Sequence, residues 1–442
     1  MLRKTVLTGF LVLMVGILFL YQSPERENVG ERINVKYWTI VGQKEVENYA
    51  IKKFNSIQDK IFVEAISIPW QDHERKILTS VLSGDPPDLV SQFIPVPRWA
   101  SRNALILLDQ FIERDHFDHT VFFPALWEEM KWKNHVYAIP VNTASYAFFY
   151  NREIFRGAGL DPDIPPKTWE DVWELSRQLL KRNEKGQIVC MGYLPVYGNL
   201  RTSNLIAWQQ GAQFTSEDKT VVSLTNPETV SGIQWVVDFI QEFGLNEIME
   251  FMGGFGFADQ HGFISGKVAM MVLDSSFPEQ IGRYAPNLDY GITYIPSFRG
   301  SPTASSAGSW WVGIPRGAAN PEAAWDFIKF LVSKETQIET ALQTEENLFP
   351  ANKLAANDPV FITDPSMEIF IRQMDFAYSP SIVPLAHDVF WREYSQAEER
   401  AIHGIQTVTA ALADAEERIQ TELDRAVMYD QYVYAKLKKE EN

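Results

Sequence analysis

Two periodicities alternate along the N-terminal part of the chain. Residues 33–38 alternate apolar and polar side chains, and 61–68 and 88–93 are short runs rich in apolar residues, which is typical of strands. Between them, residues 44–55 and 73–82 repeat apolar side chains at helical spacing. Strands that alternate with helices predict βαβ units with a largely parallel sheet, and therefore an α/β fold.

Later elements are predicted from helix-start residues and from apolar runs. Thr168 with Asp171 is typical of a capping box, and Asn226 and Asn320 each precede a proline, as at the start of a helix. Two apolar runs, 137–140 and 147–151, predict two strand segments joined by a polar connection. The remaining predictions are helices over 99–111, 168–180, 202–210, 226–239, 320–331 and 409–428, and strands over 267–274 and 290–295.

The N-terminus has the pattern of an export segment. Arg3 and Lys4 precede an uncharged run over 5–21, and a polar stretch begins at Pro24. The run is about long enough to span a bilayer, and no small-x-small cleavage site follows it. Residues 1–23 are therefore predicted to be a signal peptide or an uncleaved anchor. The two basic residues place the rest of the chain outside, on the periplasmic or extracellular face.

Length and charge narrow the classes of function. A chain of 442 residues is too long for one hydrophobic core, so we expect two domains. The net charge of −17 disfavours nucleic acid and anionic lipid head groups as partners. A single cysteine, Cys190, rules out a disulfide within the chain and disfavours a cysteine-based metal cluster.

Motifs for catalysis and for cofactors are weak. The glycine-rich stretch 253–256 has neither a strand before it nor a phosphate-binding lysine after it. His116 and His119 have no third ligand nearby in sequence. A glycosidase needs two carboxyl groups across one cleft, and only Asp274 and the pair Glu128–Glu129 invite inspection. The sequence therefore predicts no metal, no cofactor and no catalytic residues.

Aromatic and amide side chains near strand ends are the remaining candidates. Ring faces stack on the C–H surfaces of sugars, and amides and carboxylates bond sugar hydroxyls, so this set is typical of sugar binding without catalysis. The candidate ligand-binding residues are Trp38, Gln71, Gln92, Phe93, Asn142, Trp208, Gln209, Asp274, Phe277 and Trp310.

The order of several motifs resembles a known family. They are KILTSVLSGDPPDLV at 76–90, YAIP at 137–140 with YNREIF at 150–155, PPKTW at 165–169, FISGKVAM at 263–270, GSW at 308–310 and LFP at 348–350. Together they are similar to the extracellular solute-binding proteins of ABC transporters, in the carbohydrate-binding group that includes maltose-binding protein. By position, Phe277 stands where many members have a stacking tryptophan, and Trp310 stands on the ring of the family's Gly-Gly-Trp motif.

The resemblance implies a two-lobed, periplasmic-binding-protein-like fold, with each lobe a mainly parallel sheet flanked by helices. The lobes would comprise 33–143 plus 310–356 and 145–308 plus 357–430, joined by three hinge crossings near 142–147, 309–312 and 355–359. It further implies a monomer that captures a sugar or oligosaccharide between its lobes and delivers it to an ABC permease. A membrane-tethered ligand sensor partner and an extracytoplasmic glycosidase are the alternatives.

Two adjacent tryptophans carry the sharpest expectation. Residues 306–315 read as a strand that contains Trp310 and Trp311, and neighbouring side chains of a strand point to opposite faces. We therefore expect Trp310 to face the cleft as a stacking wall and Trp311 to lie in the packed interior.

Overall fold

Two groups of strands, each flanked by helices, meet in one mixed sheet. The computed structural model describes residues 32–40, 43–343, 348–380 and 382–440. The predicted export segment, 1–23, lies outside the described residues. Within the described ranges, no helix combines the length and the apolar character needed to cross a membrane.

The elements are numbered along the chain. The strands are β1 Ile33–Ile40, β2 Ile61–Ile68, β3 Leu89–Gln92, β4 Lys131–Trp132, β5 His135–Val136, β6 Ile139–Asn151, β7 Lys181–Arg182, β8 Ile188–Tyr193, β9 Val268–Asp274, β10 Tyr290–Thr293, β11 Ser305–Gly313, β12 Phe349–Pro350 and β13 Ala377–Tyr378. The helices are α1 Gln43–Ile57, α2 Trp70–Ser83, α3 Val96–Ala100, α4 Asp109–Arg114, α5 Pro124–Glu129, α6 Arg152–Gly157, α7 Trp169–Leu179, α8 Thr202–Gln209, α9 Pro227–Phe243, α10 Leu245–Met252, α11 Phe277–Tyr284, α12 Pro321–Leu331, α13 Lys334–Leu342, α14 Lys353–Ala356, α15 Pro359–Ile362, α16 Pro365–Gln373, α17 His387–Ile402 and α18 Val408–Glu440.

The first strands form the predicted βαβ units. β1 pairs in parallel with both β2 and β3, and α1 and α2 make the crossovers. Val35 and Tyr37 are buried while Asn34 and Lys36 are exposed, so the alternation along β1 matches its core face. The prediction of an α/β fold is confirmed.

β6 is one continuous strand, so the prediction of two segments with a polar connection is wrong. Its first half pairs with β11 and β12, and its second half pairs with β9 and β10. The polar side chains in the middle find carbonyl partners, because Thr143 Oγ1 donates to Gly308 O (2.8 Å) and Ser145 Oγ donates to Phe370 O (2.6 Å). Their hydrogen bonds allow a strand to continue through a polar, buried stretch.

The single helix predicted over 99–111 is also wrong. The chain forms α3 and α4 with an irregular segment between them, in which Asn103 has a φ of 55°. Leu105 then bridges to Pro315, and Ile106 N–H donates to Ile314 O (2.9 Å). Backbone N–H and C=O groups between α3 and α4 therefore bond to the chain that follows β11, and they are not free to form the hydrogen bonds of a helix.

β11 is the central strand that joins the first strand group, β2-β1-β3, to the second strand group, β6-β9-β8-β7. It lies between β3 and β6 and is antiparallel to both. The register shifts between Trp310 and Trp311, which leaves Val141 of β6 without a partner on β11. Trp311 is 1% exposed, stands edge-on to Trp99 at 6.1 Å and donates from Nε1 to Ile94 O (2.9 Å). The predicted interior position of Trp311 is confirmed.

Three predicted helix starts have different outcomes. Thr168 and Asp171 form the capping box, and Asn226 accepts from the N–H of Thr229. Asn320 does not cap α12 with its side chain, since that amide lies on the carboxylate of Asp88. Asp88 thereby links the start of β3 to the start of α12.

The last helix reaches the β4–β5 hairpin, a two-stranded sheet separate from the main one. α18 packs along α17, and both pack on α9. Near its end, buried Asp430 accepts from Trp132 Nε1 (3.2 Å) and lies 2.5 Å from Lys133 Nζ. We call these three residues the C-terminal clasp. It connects α18 to the hairpin formed by β4 and β5.

Candidate ligand-binding site

A cavity of about 630 Å³ opens between the two strand groups. One side is built by the start of α2 and the loop after β3, and the other by α17 and the loop before α8. Its wall includes the aromatic residues Trp70, Phe93, Tyr146, Trp311 and Trp391 and the polar residues Glu74, Arg98, Glu129, Asn199, Arg201, His387 and Asp388. A cavity of this size, part apolar and part polar, suits a small organic ligand.

Aromatic rings line both sides of the cavity. Trp70 begins α2 and is 47% exposed, and Phe93 follows β3 and is 45% exposed. Trp391 comes from α17 on the other side, where its Nε1 donates to Pro380 O (3.1 Å). Exposed aromatic rings that converge on one concave site are typical of a binding surface.

Trp310 braces the first of these walls. Its half-buried ring meets Trp70 edge-on at 6.2 Å and Phe93 at 5.6 Å. Gly308, two residues earlier on the same face of β11, leaves room for Phe93, since a Cβ there would lie 3.1 Å from the Phe93 ring. On this side of the cavity the exposed rings are therefore those of Trp70 and Phe93, with Trp310 packed behind them.

Glu129 is an unusual carboxyl at the floor of the cavity. It ends α5, accepts a hydrogen bond from Ser379 Oγ and is approached by the N–H of Ser309. Burial nevertheless raises the pKa of Glu129 from 4.5 to about 8, because desolvation outweighs these two donors. A carboxyl that keeps its proton at neutral pH can donate a hydrogen bond as well as accept one.

A second, larger cavity of about 1020 Å³ lies on the other side of Glu129. Glu129 and Ser379 belong to its wall, as do the three clasp residues. Trp208 also lies here, but it is buried beneath Tyr378, whose ring stacks on it at 5.2 Å with an angle of 4°. Tyr378 therefore covers Trp208, and its own ring lines this cavity together with Trp132 of the clasp.

The charged groups of the first cavity are paired. Arg98 Nη1 donates to Asp388 Oδ2 (2.7 Å) across the cavity, and its Nη2 donates to Glu74 Oε2 (3.2 Å). Arg201 is paired with Glu398, a carboxylate whose side chain is 1% exposed.

The one histidine of the wall carries little charge at neutral pH. Burial lowers the pKa of His387, which also feels Asp388 and Arg98. A lowered pKa keeps the imidazole neutral, because the charged form is the one that burial penalises.

The structure brings only part of the predicted set to this cavity. Phe93 lines it, and Trp310 contacts that wall. Gln71 is exposed beside Trp70, and Trp38 is half-buried in β1 against the core.

Two predicted amides are engaged inside the protein. Gln92 Nε2 lies 3.1 Å from His73 Nδ1, and its Oε1 accepts from the N–H groups of Phe93 and Ile94. Gln209 donates to Pro296 O (2.8 Å) and accepts from the Nε1 of a buried tryptophan (3.0 Å). Both amides therefore use their hydrogen bonds to hold neighbouring loops, and neither lines the cavity.

The remaining predicted residues lie elsewhere. Asn142 faces a small cavity of about 20 Å³ beside Gln337 and Phe349, where neither of its amide atoms has a hydrogen-bond partner among the residues that the structure describes. Phe277 packs on Phe149 and His261 in the second strand group, because the turn after β9 directs it inward. Asp274, at the end of β9, accepts from the N–H of the residue two positions later.

Sequence reasoning missed several wall residues. Trp70 stands at the strand end after β2, so the rule that points to Gln71 applies equally to Trp70. Glu129 is one of the carboxyls that the sequence offers for inspection, but no local pattern marks it as a ligand-binding residue. Trp391 and Tyr146 lie within a regular helix and a regular strand, so no local pattern marks them.

This arrangement can bind a small organic ligand. Ring faces and neutral hydrogen-bonding groups dominate its wall, and the charged groups are paired. Among the described ranges, no cluster of three or more His, Cys, Asp or Glu side chains is placed to hold a metal ion.

Comparison with known proteins agrees with the fold. The sn-glycerol-3-phosphate-binding periplasmic protein UgpB of Pectobacterium atrosepticum is 27% identical over 280 residues, which is 59% of this chain and 59% of that protein. The matched part thus spans under two thirds of that relative. CpMnBP1 with mannotriose bound superposes with a TM-score of 0.72 at 24% identity, covering 88% of this chain and 100% of the other.

A further solved structure, the sugar-binding protein MalE from Xanthomonas citri, has a TM-score of 0.75 at 18% identity and covers 91% of this chain and 99% of the other. These likenesses show the two-lobed fold. The family model described as bacterial extracellular solute-binding protein matches residues 49–369. The chain therefore belongs to the bacterial extracellular solute-binding protein family.

Proposed function

We propose that this protein is the extracytoplasmic receptor of an ABC transporter and that it captures a sugar or oligosaccharide in the 630 Å³ cavity. The observation that carries the proposal is a set of three aromatic rings in the cavity wall, with Trp70 and Phe93 on one side and Trp391 on the other. Sugar rings present flat C–H faces that stack on such side chains. CpMnBP1 and MalE, whose folds are similar, bind sugars.

The lobes of this receptor comprise 33–143 plus 310–356 and 145–308 plus 357–430, and they close on the ligand. Closure is a shift between open and closed populations, driven by the extra contacts that the ligand makes in the closed state. Arg98 and Asp388, which pair across the cavity, help to hold that closed state. The permease recognises the closed form, and the protein carries out no catalysis.

Calorimetry with mannobiose, mannotriose and maltotetraose, with tryptophan fluorescence as a second readout, tests the proposal. We expect binding in the micromolar range, about −8 kcal/mol. Trp391→Ala should weaken it by at least about tenfold, through the loss of one stacked ring. Trp173→Ala, which removes a ring on the outer side of α7 against Phe239, is the matched control and should bind normally. Heats absent for every saccharide would refute a sugar receptor.

A further inference from the structure

Two arginines are the only side chains of the cavity wall, among the described residues, that carry a full positive charge. They are Arg98 from α3 and Arg201 from the loop before α8. Arginine is the side chain best suited to a phosphate or carboxylate, because its planar fork donates two parallel hydrogen bonds. If these two guanidinium groups are free to bind a ligand, the cavity suits an anion; if they are already paired with carboxylates, it suits an uncharged ligand.

Arg98 is held by two carboxylates from different elements. Glu74 of α2 lies against Nε (3.1 Å) and Nη2 (3.2 Å), and Asp388 of α17 accepts from Nη1 (2.7 Å). Arg102 also donates to Glu74 (2.9 Å), but it does not line the cavity. An anion that approaches Arg98 therefore meets two negative charges at the same place.

Arg201 is committed to a buried carboxylate. Glu398 of α17 is 1% exposed at its side chain, pairs with Arg201 and also accepts from Ser203 Oγ (2.6 Å). If a ligand drew the guanidinium away, Glu398 would be left as a buried, uncompensated charge, which is strongly unfavourable. Arg201 is thus part of the fold of the second strand group as much as part of the wall.

We propose that the cavity selects an uncharged saccharide and rejects phosphorylated or acidic ligands, because Glu74, Asp388 and Glu398 already neutralise the charge of both of its arginines. This inference rests on the proposed function and narrows it. The net charge of −17 acts in the same direction, since the field of the whole molecule repels anions. The similar proteins suggest two kinds of ligand. One relative is named for binding sn-glycerol 3-phosphate, and a structural relative holds mannotriose. The uncharged sugar fits the paired charges of this cavity.

The test compares a neutral ligand with an anionic one on the full exported chain. Calorimetry is run with mannotriose and with sn-glycerol 3-phosphate at low and at moderate salt. We expect the phosphate ester to bind at least about 100-fold more weakly than the best neutral saccharide at either salt concentration.

The double variant Glu74→Gln with Asp388→Asn releases Arg98 and should strengthen binding of sn-glycerol 3-phosphate by about tenfold or more. A control double variant, Asp326→Asn with Glu368→Gln, removes two exposed carboxylates away from the cavity and changes the net charge equally. The control should leave the affinity for the phosphate ester nearly unchanged. Asp388→Asn alone, at a side chain 71% exposed, provides a variant that folds if the double variant does not.

The outcomes separate the two claims. If the wild type binds sn-glycerol 3-phosphate more tightly than any neutral saccharide, the charge inference is overturned while a receptor function stands. If the Arg98-releasing variants gain no more affinity for the phosphate ester than the control gains, the inference is also overturned. If neither ligand class binds at all, the proposed sugar receptor fails, and the inference fails with it.

Discussion

Replacing Glu129 by glutamine should remove a loss of stability that the wild type suffers as the pH rises. The carboxyl is wedged between Ser309 of β11 and Ser379, just after β13, and burial raises its pKa to about 8. In the unfolded chain the same group loses its proton near pH 4.5. Between these two values the unfolded state binds fewer protons than the folded state, so the free energy of unfolding decreases with increasing pH.

The magnitude follows from the width of that window. Each pH unit costs about 1.4 kcal/mol, so the full interval from pH 4.5 to about pH 8 sets an upper bound of about 5 kcal/mol, because the side chain is only half-buried and borders two cavities. Glutamine is neutral at every pH, so the free energy of unfolding of the variant should not decrease over this interval for this reason. Since its amide replaces one oxygen, the variant should lose about 1 kcal/mol of hydrogen bonding at low pH.

Buried histidines change the pH dependence of stability in the opposite direction, so their contribution must be distinguished from that of Glu129. Burial lowers the pKa of His73 and of His261 to about 4, so their protonation in the unfolded chain makes stability rise between pH 4 and about pH 6.5. Both groups are present in the wild type and in the variant. The difference between the two proteins at each pH therefore isolates Glu129.

Urea unfolding followed by circular dichroism at pH values from about 5 to about 9 measures the effect. The control is Glu128→Gln, which removes the neighbouring carboxylate from an exposed ion pair with Lys131 and should leave the pH slope unchanged. If the Glu129→Gln protein loses stability between pH 6.5 and pH 8 as steeply as the wild type does, the carboxyl is not protonated in the folded state and the reasoning is refuted.

Other substitutions test packing and the clasp. Trp311→Ala should lower the free energy of unfolding by about 3–5 kcal/mol. Trp310→Ala should lower it less and should weaken saccharide binding, because the rings of Trp70 and Phe93 lose a packing partner. Urea titration measures the change in stability, and calorimetry measures the change in binding. Gly232→Ala places a Cβ 2.3 Å from a carbonyl oxygen of α8 and should destabilise the protein by about 1–3 kcal/mol. Gly282→Ala is the control, because α11 has open space at that position, and it should be neutral or stabilising. Thermal unfolding of both variants measures the difference. Asp430→Asn breaks the buried clasp and should cost about 1–3 kcal/mol, with faster hydrogen exchange in the β4–β5 hairpin; unchanged exchange there would contradict the clasp.

The first strands and helices were predictable because their determinants are local. The alternation along β1 and the helical spacing in α1 and α2 record which face of each element is buried. The capping box at Thr168 is likewise complete within four residues. Such features need no knowledge of distant partners.

β6 shows where local pattern fails. Thr143 and Ser145 look like a polar connection, yet they bond carbonyl groups of Gly308 and Phe370, which are 165 and 225 positions away. Only the folded chain supplies those acceptors. The same limit applies to residues 99–111, whose backbone is captured by the segment after β11.

The candidate site was predictable in part for the same reason. Phe93 follows a strand end, where ligands of α/β sheets bind, and that rule located it. Trp391 sits on an ordinary amphipathic helix, and the pKa of Glu129 depends on burial and on Ser379, 250 positions away. Residues of these two kinds become recognisable only when the two strand groups are brought together.

The central position of β11 has a consequence for biosynthesis. Trp311 donates to Ile94 O across 217 positions of sequence, so β3 and β6 lack their common neighbour until residues beyond 313 have been made. At about 5–20 residues per second, the ribosome takes roughly 10–45 s to synthesise that interval. Through this time the first strand group has an unpaired edge at β3, and late insertion of β11 sets the moment at which either half of the molecule can complete its core.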